Sequence, residues 1–197
     1  MTLHSDKLDF SEDIRKSIEV LRSGGVILYP TDTIWGLGCD ATLETGVEKI
    51  FTIKQRPEMK SMIILVDSLG MLERYTSGVP PVAFELIEVS DGPLTLVLPA
   101  AKGLLAPSIV SADGFIGVRL CRDEFCSALI GRFRKPIVST SANISGIASP
   151  AIYSEISEEI ISGADYTVQY RQNDTRRATP SPVIKIDSNS KIEILRK

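Results

Sequence analysis

Short, unbroken apolar runs alternate with segments of helical period, and that alternation limits the fold of this chain more than any other feature. Val26-Ile27-Leu28-Tyr29 follows Gly24-Gly25 and stops at Pro30, which has no N–H to give a ladder. Ser61 to Val66, Thr95 to Leu98, Phe115 to Leu120, Pro136 to Ser139 and 165–169 read as strands in the same way. Between them, residues 11–23 place Ile14, Ile18 and Leu21 at helical spacing, with Ser11 as the N-cap. Residues 43–55 do so through Val47, Ile50, Phe51 and Ile53, and further helices are predicted near 68–75, 80–89, 123–133 and 154–162. Val183 to Ile186 and Ile192 to Leu195 flank Asp187-Ser188-Asn189-Ser190 as a terminal hairpin. The expected fold class is therefore α/β, with a mixed sheet rather than a wholly parallel one. With 197 residues and no repeat or linker, the chain reads as a single domain over 1–197.

Composition matters mainly for what it removes. The only histidine, His4, lies in the terminal segment, which excludes Ser-His-Asp triads, Cys-His dyads and histidine-rich metal sites. Cys39, Cys121 and Cys126 are odd in number and lack CxxC spacing, so they read as reduced, packed thiols. A net charge of −3 argues against a surface dedicated to nucleic acid but permits a local basic cleft. No apolar run approaches the ~20 residues of a membrane span. The first ten residues carry no apolar core, so no secretory leader and a cytoplasmic location are expected.

Three clusters could carry chemistry. Tyr29-Pro30-Thr31-Asp32-Thr33-Ile34-Trp35-Gly36-Leu37-Gly38 begins where a strand ends, the edge at which open α/β sheets bind ligands. It would serve equally as a strand-to-helix connection capped by Thr and Asp. Lys54-Gln55-Arg56-Pro57-Glu58-Met59-Lys60 gathers cations suited to triphosphate oxygens, although cations at a helix C-terminus also complement its dipole. Ser139-Thr140-Ser141-Ala142-Asn143, directly after an apolar strand, offers hydroxyls and backbone N–H groups to phosphate or ribose, or else to its own turn. Neither GxxxxGK[ST] nor GxGxxG is present. Arg119, inside the apolar run Phe115 to Leu120, reads by itself as an outward-facing strand residue, and 171–177 as a mobile polar loop.

Taken in order, YPTDTIWGLGCDA (29–41), IKQRP with Lys60 (53–60), DGPLTLVLPA (91–100), GVRL (117–120) and STSANISG (139–146) resemble the YrdC family, the threonylcarbamoyl-AMP synthases. The resemblance implies a twisted, curved mixed sheet around a large basic cavity, in the short, single-domain form. It implies an enzyme that condenses L-threonine, bicarbonate and ATP to threonylcarbamoyl-AMP and pyrophosphate, with Mg²⁺ carried by the phosphates. A tRNA-modifying transferase complex would then move the threonylcarbamoyl group to the adenosine next to the anticodon. By the same resemblance Lys54 and Arg56 are the catalytic cations. ATP would be held by these two with Lys60, Phe115, Ser141, Asn143, Ser149 and Arg196. Threonine would be held by Thr33, Arg119, Ser139 and Ser181, with Arg119 on its carboxylate. Leu65 stands where relatives often place a polar residue, and Pro182 replaces a threonine after Ser181. The alternatives are a module that binds double-stranded RNA or tRNA directly, or a paralogue without this activity.

Overall fold

In the computed structural model, which describes residues 10–55 and 62–197, the predicted alternation becomes one mixed sheet carrying helices. Its strands, in chain order, are β1 (Ile27–Tyr29), β2 (Gly36–Gly38), β3 (Ile63–Val66), β4 (Thr95–Pro99), β5 (Phe115–Leu120), β6 (Ile137–Ser141), β7 (Tyr166–Thr167), β8 (Val183–Ile186) and β9 (Ile192–Arg196). Their spatial order is β7-β1-β2-β6-β3-β5-β4-β8-β9. The pairs β3/β5, β4/β8 and β1/β7 are parallel and the others antiparallel, so the sheet is mixed, as the terminal hairpin predicts. The inner strands β3 and β5 are continuous Ile/Val/Leu runs because both of their faces are covered.

Helices α1 (Ser11–Arg22), α2 (Glu44–Ile53), α3 (Leu69–Tyr75), α4 (Pro81–Val89), α5 (Glu124–Phe133) and α6 (Glu158–Gly163) close the core. Ser11 is not the N-cap of α1. Phe10 takes that position without a side-chain cap, and its ring packs on Phe125 and Tyr170 at 5.6 and 5.1 Å, so apolar packing fixes the helix start. True side-chain caps occur at α3, where Ser68 Oγ accepts from Met71 N, and at α5, where Asp123 Oδ1 accepts from Cys126 N. The helix expected over 154–162 is divided into a 3₁₀ turn, Tyr153–Glu155, and α6, because Ser157 is extended at φ −68°, ψ 151°. All three cysteines are free and buried.

Two local departures from the sequence reading set up the site. Gly36–Gly38, expected as part of a loop, is a strand between β1 and β6. Its partner β6 therefore runs on to Ser141 instead of stopping at Ser139. β6 lies between β2 and β3: Ile137, Val138 and Ser139 pair with β3 on one edge, while Thr140 and Ser141 pair with β2 on the other. The hydroxyl-rich run thus ends a strand that is flanked by both neighbours.

The stretch expected as a mobile loop is tied down at several points. Asp13, on α1, accepts hydrogen bonds from the backbone N–H groups of Gln169 and Tyr170 at 3.0 and 2.9 Å. Arg171 pairs with Asp123 at 2.5 Å, and Arg177 with Glu155 at 2.6 Å. Among the described residues no helix is long and apolar enough to cross a membrane.

Candidate active site

A cavity of about 180 Å³ opens beside β6, lined by Thr33, Trp35, Arg119, Ser139, Ser141, Ser149, Ser181 and Arg196 among others. Each wall comes from a different element. β6 brings Ser139 and Ser141, the Thr31–Thr33 turn follows β1, Arg119 comes from β5, and Arg196 comes from β9. Ser181 immediately precedes β8, and Ser149 follows the turn after β6. The turn after β1 is pinned by Thr31 Oγ1, which donates to Ile34 O at 2.8 Å and accepts from Thr33 N at 3.0 Å.

Arg119 is not the outward-facing residue that its strand position suggests. It is 3% exposed, because β5 is covered on both faces, and a guanidinium in that position requires compensation. Asp32 Oδ1 supplies it at 2.9 Å from Nη2. Thr31 Oγ1 and Ser181 Oγ lie at 3.4 Å from Nη2 and Nη1. Burial pushes the Asp32 carboxyl above the usual carboxylate range, and the adjacent Arg119 charge opposes that rise without cancelling it. Ser181 is itself fixed by Thr95 Oγ1 at 2.8 Å, and the carbonyl of Pro182 accepts from Thr95 N at 3.0 Å. A proline at 182 therefore costs the ladder no donor there.

Arg196 donates through Nε and Nη2 to the Ser181 carbonyl at 2.9 and 2.6 Å. Its affinity for its proton is reduced by partial burial and by the charge of Arg119. Two guanidiniums that repel across a small hydroxyl-lined cavity make it a place where an anion is stabilised.

Lys54 ends α2 and is 3% exposed. Its ammonium donates to the carbonyls of Ser141 and Asn143 at 2.5 and 2.7 Å, while Ser145 N donates to the Lys54 carbonyl at 3.0 Å. Lys54 thus fastens its own cluster directly to the hydroxyl-rich run, through residues 87 and 89 positions further along the chain. Asn143 is spent on the same turn, taking the Ser141 hydroxyl on Oδ1 and giving Nδ2 to the carbonyls of Ile144 and Ile147. Lys54→Met keeps the aliphatic stem and leaves those carbonyls unpaired. It is expected to lower the folding free energy by about 1–3 kcal/mol, seen as a reduced urea midpoint.

The expected residues divide cleanly. Thr33, Arg119, Ser139, Ser141, Ser149, Ser181 and Arg196 line the cavity, with Lys54 and Asn143 supporting the Ser141 turn behind it. Arg56 and Lys60 lie outside the described residues. Phe115 does not line the cavity; four positions from Arg119 on an extended strand is about 13 Å, and its ring sits under Lys185 Nζ at 4.1 Å. Leu65 is fully buried and contributes no polar group. Sequence reasoning assigned no site role to Asp32, Trp35, Met62 or Pro180. A buried strand arginine demands an acid, so the unassigned Asp32 in the Thr-Asp-Thr turn was the one signal available.

The fold and site together define an α/β protein with an arginine- and hydroxyl-lined cavity on a mixed sheet. The Sua5/YciO/YrdC family model (Telomere recombination) matches residues 19–197. The chain is 34% identical over 139 residues to the threonylcarbamoyl-AMP synthase of Psychromonas ingrahamii, covering 68% of this chain and 72% of that one. To the threonylcarbamoyl-AMP synthase of Halorhodospira halophila it is 34% identical over 169 residues, 85% and 87% of the two chains. The crystal structure of P. abyssi Sua5 complexed with L-threonine matches at 30% identity with a TM-score of 0.80, over 91% of this chain and 52% of that chain. The chain thus spans about half the length of that Sua5 structure. This chain belongs to the Sua5/YciO/YrdC family.

Proposed function

We propose that this chain is an L-threonylcarbamoyladenylate synthase, a nucleotidyltransferase that joins L-threonine, bicarbonate and ATP. The observation that supports it most is the convergence of Arg119 and Arg196 on one cavity walled by the Ser139, Ser141, Ser149 and Ser181 hydroxyls. Relatives named threonylcarbamoyl-AMP synthase, and a family structure complexed with L-threonine, give that anion cavity its substrates.

In this reading the threonine amine adds to bicarbonate with loss of water, giving a carbamate. A carbamate oxygen attacks the α-phosphorus of ATP, the new P–O bond forms, and the bond to the β-phosphate bridging oxygen breaks to release pyrophosphate. The chain's part is placement and charge neutralisation. Arg119 would hold the threonine carboxylate, with Thr33, Ser139 and Ser181 around the amino acid. Arg196, Ser141 and Ser149 would face the nucleotide, while Lys54 fixes their turn and Arg56 and Lys60 meet the triphosphate. Magnesium enters with ATP. Among the described residues no group of three or more His, Cys, Asp or Glu side chains could hold a metal ion, so its ligands would be phosphate oxygens and water. The product, a mixed anhydride, would pass to a tRNA-modifying transferase complex, which goes with a cytoplasmic location.

Incubation of the purified chain with MgATP, threonine and bicarbonate is expected to yield threonylcarbamoyl-AMP by mass spectrometry and pyrophosphate in equal amount. Absence of product, or pyrophosphate release that ignores threonine, rejects the reading. Salt-sensitive binding of tRNA without threonine-dependent chemistry would point instead to the RNA-binding alternative.

A further inference from the structure

Asp32 and Arg119 stand between cavities rather than inside one. Arg119 lines the 180 Å³ site cavity, whereas Asp32 does not. Asp32 instead lines a 140 Å³ cavity bounded by Asp123, Arg171 and Ala178, and a 280 Å³ cavity under Ser90 to Leu94. The carboxylate therefore pairs with the guanidinium without lining the site cavity. The side chains are 15% and 4% exposed and their charged atoms 2.9 Å apart, while the two hydroxyl contacts to Arg119 are long, at 3.4 Å. The contact is one of charge with charge: neither Asp32 Oδ1 nor Arg119 Nε has an aligned hydrogen-bond partner among the described residues.

We propose that Asp32 is the positioning residue for threonine recognition. It holds the Arg119 fork from outside the site cavity so that the free edge meets the amino-acid carboxylate, and it supplies the counter-charge that keeps a buried guanidinium in place while the cavity is empty. This rests on Arg119 being the carboxylate-binding residue. A guanidinium is a rigid planar fork, so its free edge is oriented only if the rest is held, and beside two long bonds to neutral hydroxyls the carboxylate at 2.9 Å is the nearer and oppositely charged partner. Asp32 has little freedom of its own, because the turn that carries it is closed on both sides by Thr31 Oγ1. It never touches the substrate in this arrangement and acts through Arg119 alone.

The test uses the full chain and two readouts. Turnover by pyrophosphate release gives kcat and the KM values for threonine and ATP. Quenching of Trp35, the only tryptophan and a wall of the site cavity, gives threonine affinity without turnover. Asp32→Asn is expected to raise threonine KM and Kd about tenfold or more, while kcat and ATP KM stay within about threefold. Asp32→Glu keeps the charge but shifts the fork, and is expected to fall between the wild type and the asparagine variant. In an Arg119→Met background Asp32→Asn should add no further threonine defect.

An unchanged threonine KM in folded Asp32→Asn, a parallel rise in ATP KM, or full additivity with Arg119→Met overturns the proposal. Should Asp32→Asn fail to fold, Asp32→Glu decides alone: a raised threonine KM at unchanged ATP KM supports the role, and an unchanged one removes it. A wild type that neither turns over threonine nor responds to it through Trp35 would reject the synthase reading itself. An active wild type beside an unaffected Asp32→Asn rejects only the role of Asp32.

Discussion

Replacing Arg119 by methionine is expected to reduce threonine-dependent kcat/KM by about 10²–10³-fold, equivalent to about 3–4 kcal/mol of lost stabilisation. The size follows from the environment. The guanidinium is 3% exposed, so water does little to screen its attraction for a carboxylate, and the hydroxyls of Ser139 and Ser181 carry no charge that could substitute. Arg119→Lys is expected to recover only part of the loss, because a point ammonium cannot face Asp32 and a ligand at once as a fork does. Steady-state kinetics with threonine varied at saturating ATP checks both variants.

The same substitution has a pH signature. Burial already raises the Asp32 carboxyl above its unfolded value, and Arg119 restrains that rise. A group whose pKa is higher in the folded state binds its proton more tightly there, so its contribution to stability is present at low pH and lost as pH rises through the folded pKa. Without Arg119 the folded pKa moves further up. The stability deficit of Arg119→Met, measured by urea titration, is therefore expected to be largest at neutral pH and to shrink as pH falls and Asp32 takes up its proton.

Gly38→Ala is expected to cost about 2–3 kcal/mol of stability, and so to lower Tm by roughly 5–10 °C. A Cβ at position 38 would lie 2.6 Å from Tyr29 Cε1, 2.8 Å from the Val138 carbonyl and 3.0 Å from Ile137 Cγ2. None of these can retreat. Tyr29 and Val138 are fully buried, and the carbonyl is part of β6. Relief would push β2 away from β6, the strand that presents Ser139 and Ser141 to the cavity. A rise in threonine KM should therefore accompany the loss of stability, and a variant with a wild-type melting curve would show that the close contact is not what holds glycine there.

These two residues also mark where the sequence was transparent and where it was opaque. β3, β5 and the helices were legible because apolar spacing reports burial directly. β2 was not, since Gly-Leu-Gly has neither β-branched residues nor alternation; its strand is made by neighbours that leave no room for a side chain at 38 and little at 36. Missing β2 also hid the end of β6, because Thr140 and Ser141 are strand residues only through pairing with β2. The cavity's members were named from ordered motifs, but their division of labour was not. Lys54, expected at the triphosphate or else as a solvated helix-end cation, is buried with its ammonium on three oxygens of the Ser141–Asn143 turn. Phe115, given to the nucleotide by the family resemblance, does not line the cavity and packs instead against Lys185.

The C-terminal strand gives the site an uneven mechanical character. Arg119, Ser139 and Ser141 stand on β5 and β6, which lie between neighbours on both sides. Arg196 stands on β9, an edge strand exposed at every position, with Ile192, Ile194 and Leu195 at 47%, 60% and 51% exposure. Releasing that wall requires only the β8 ladder and the two bonds to the Ser181 carbonyl to open, far less than unfolding the core. With a firm floor and one separable side, the cavity can widen at the Arg196 wall while Arg119, Ser139 and Ser141 stay in place.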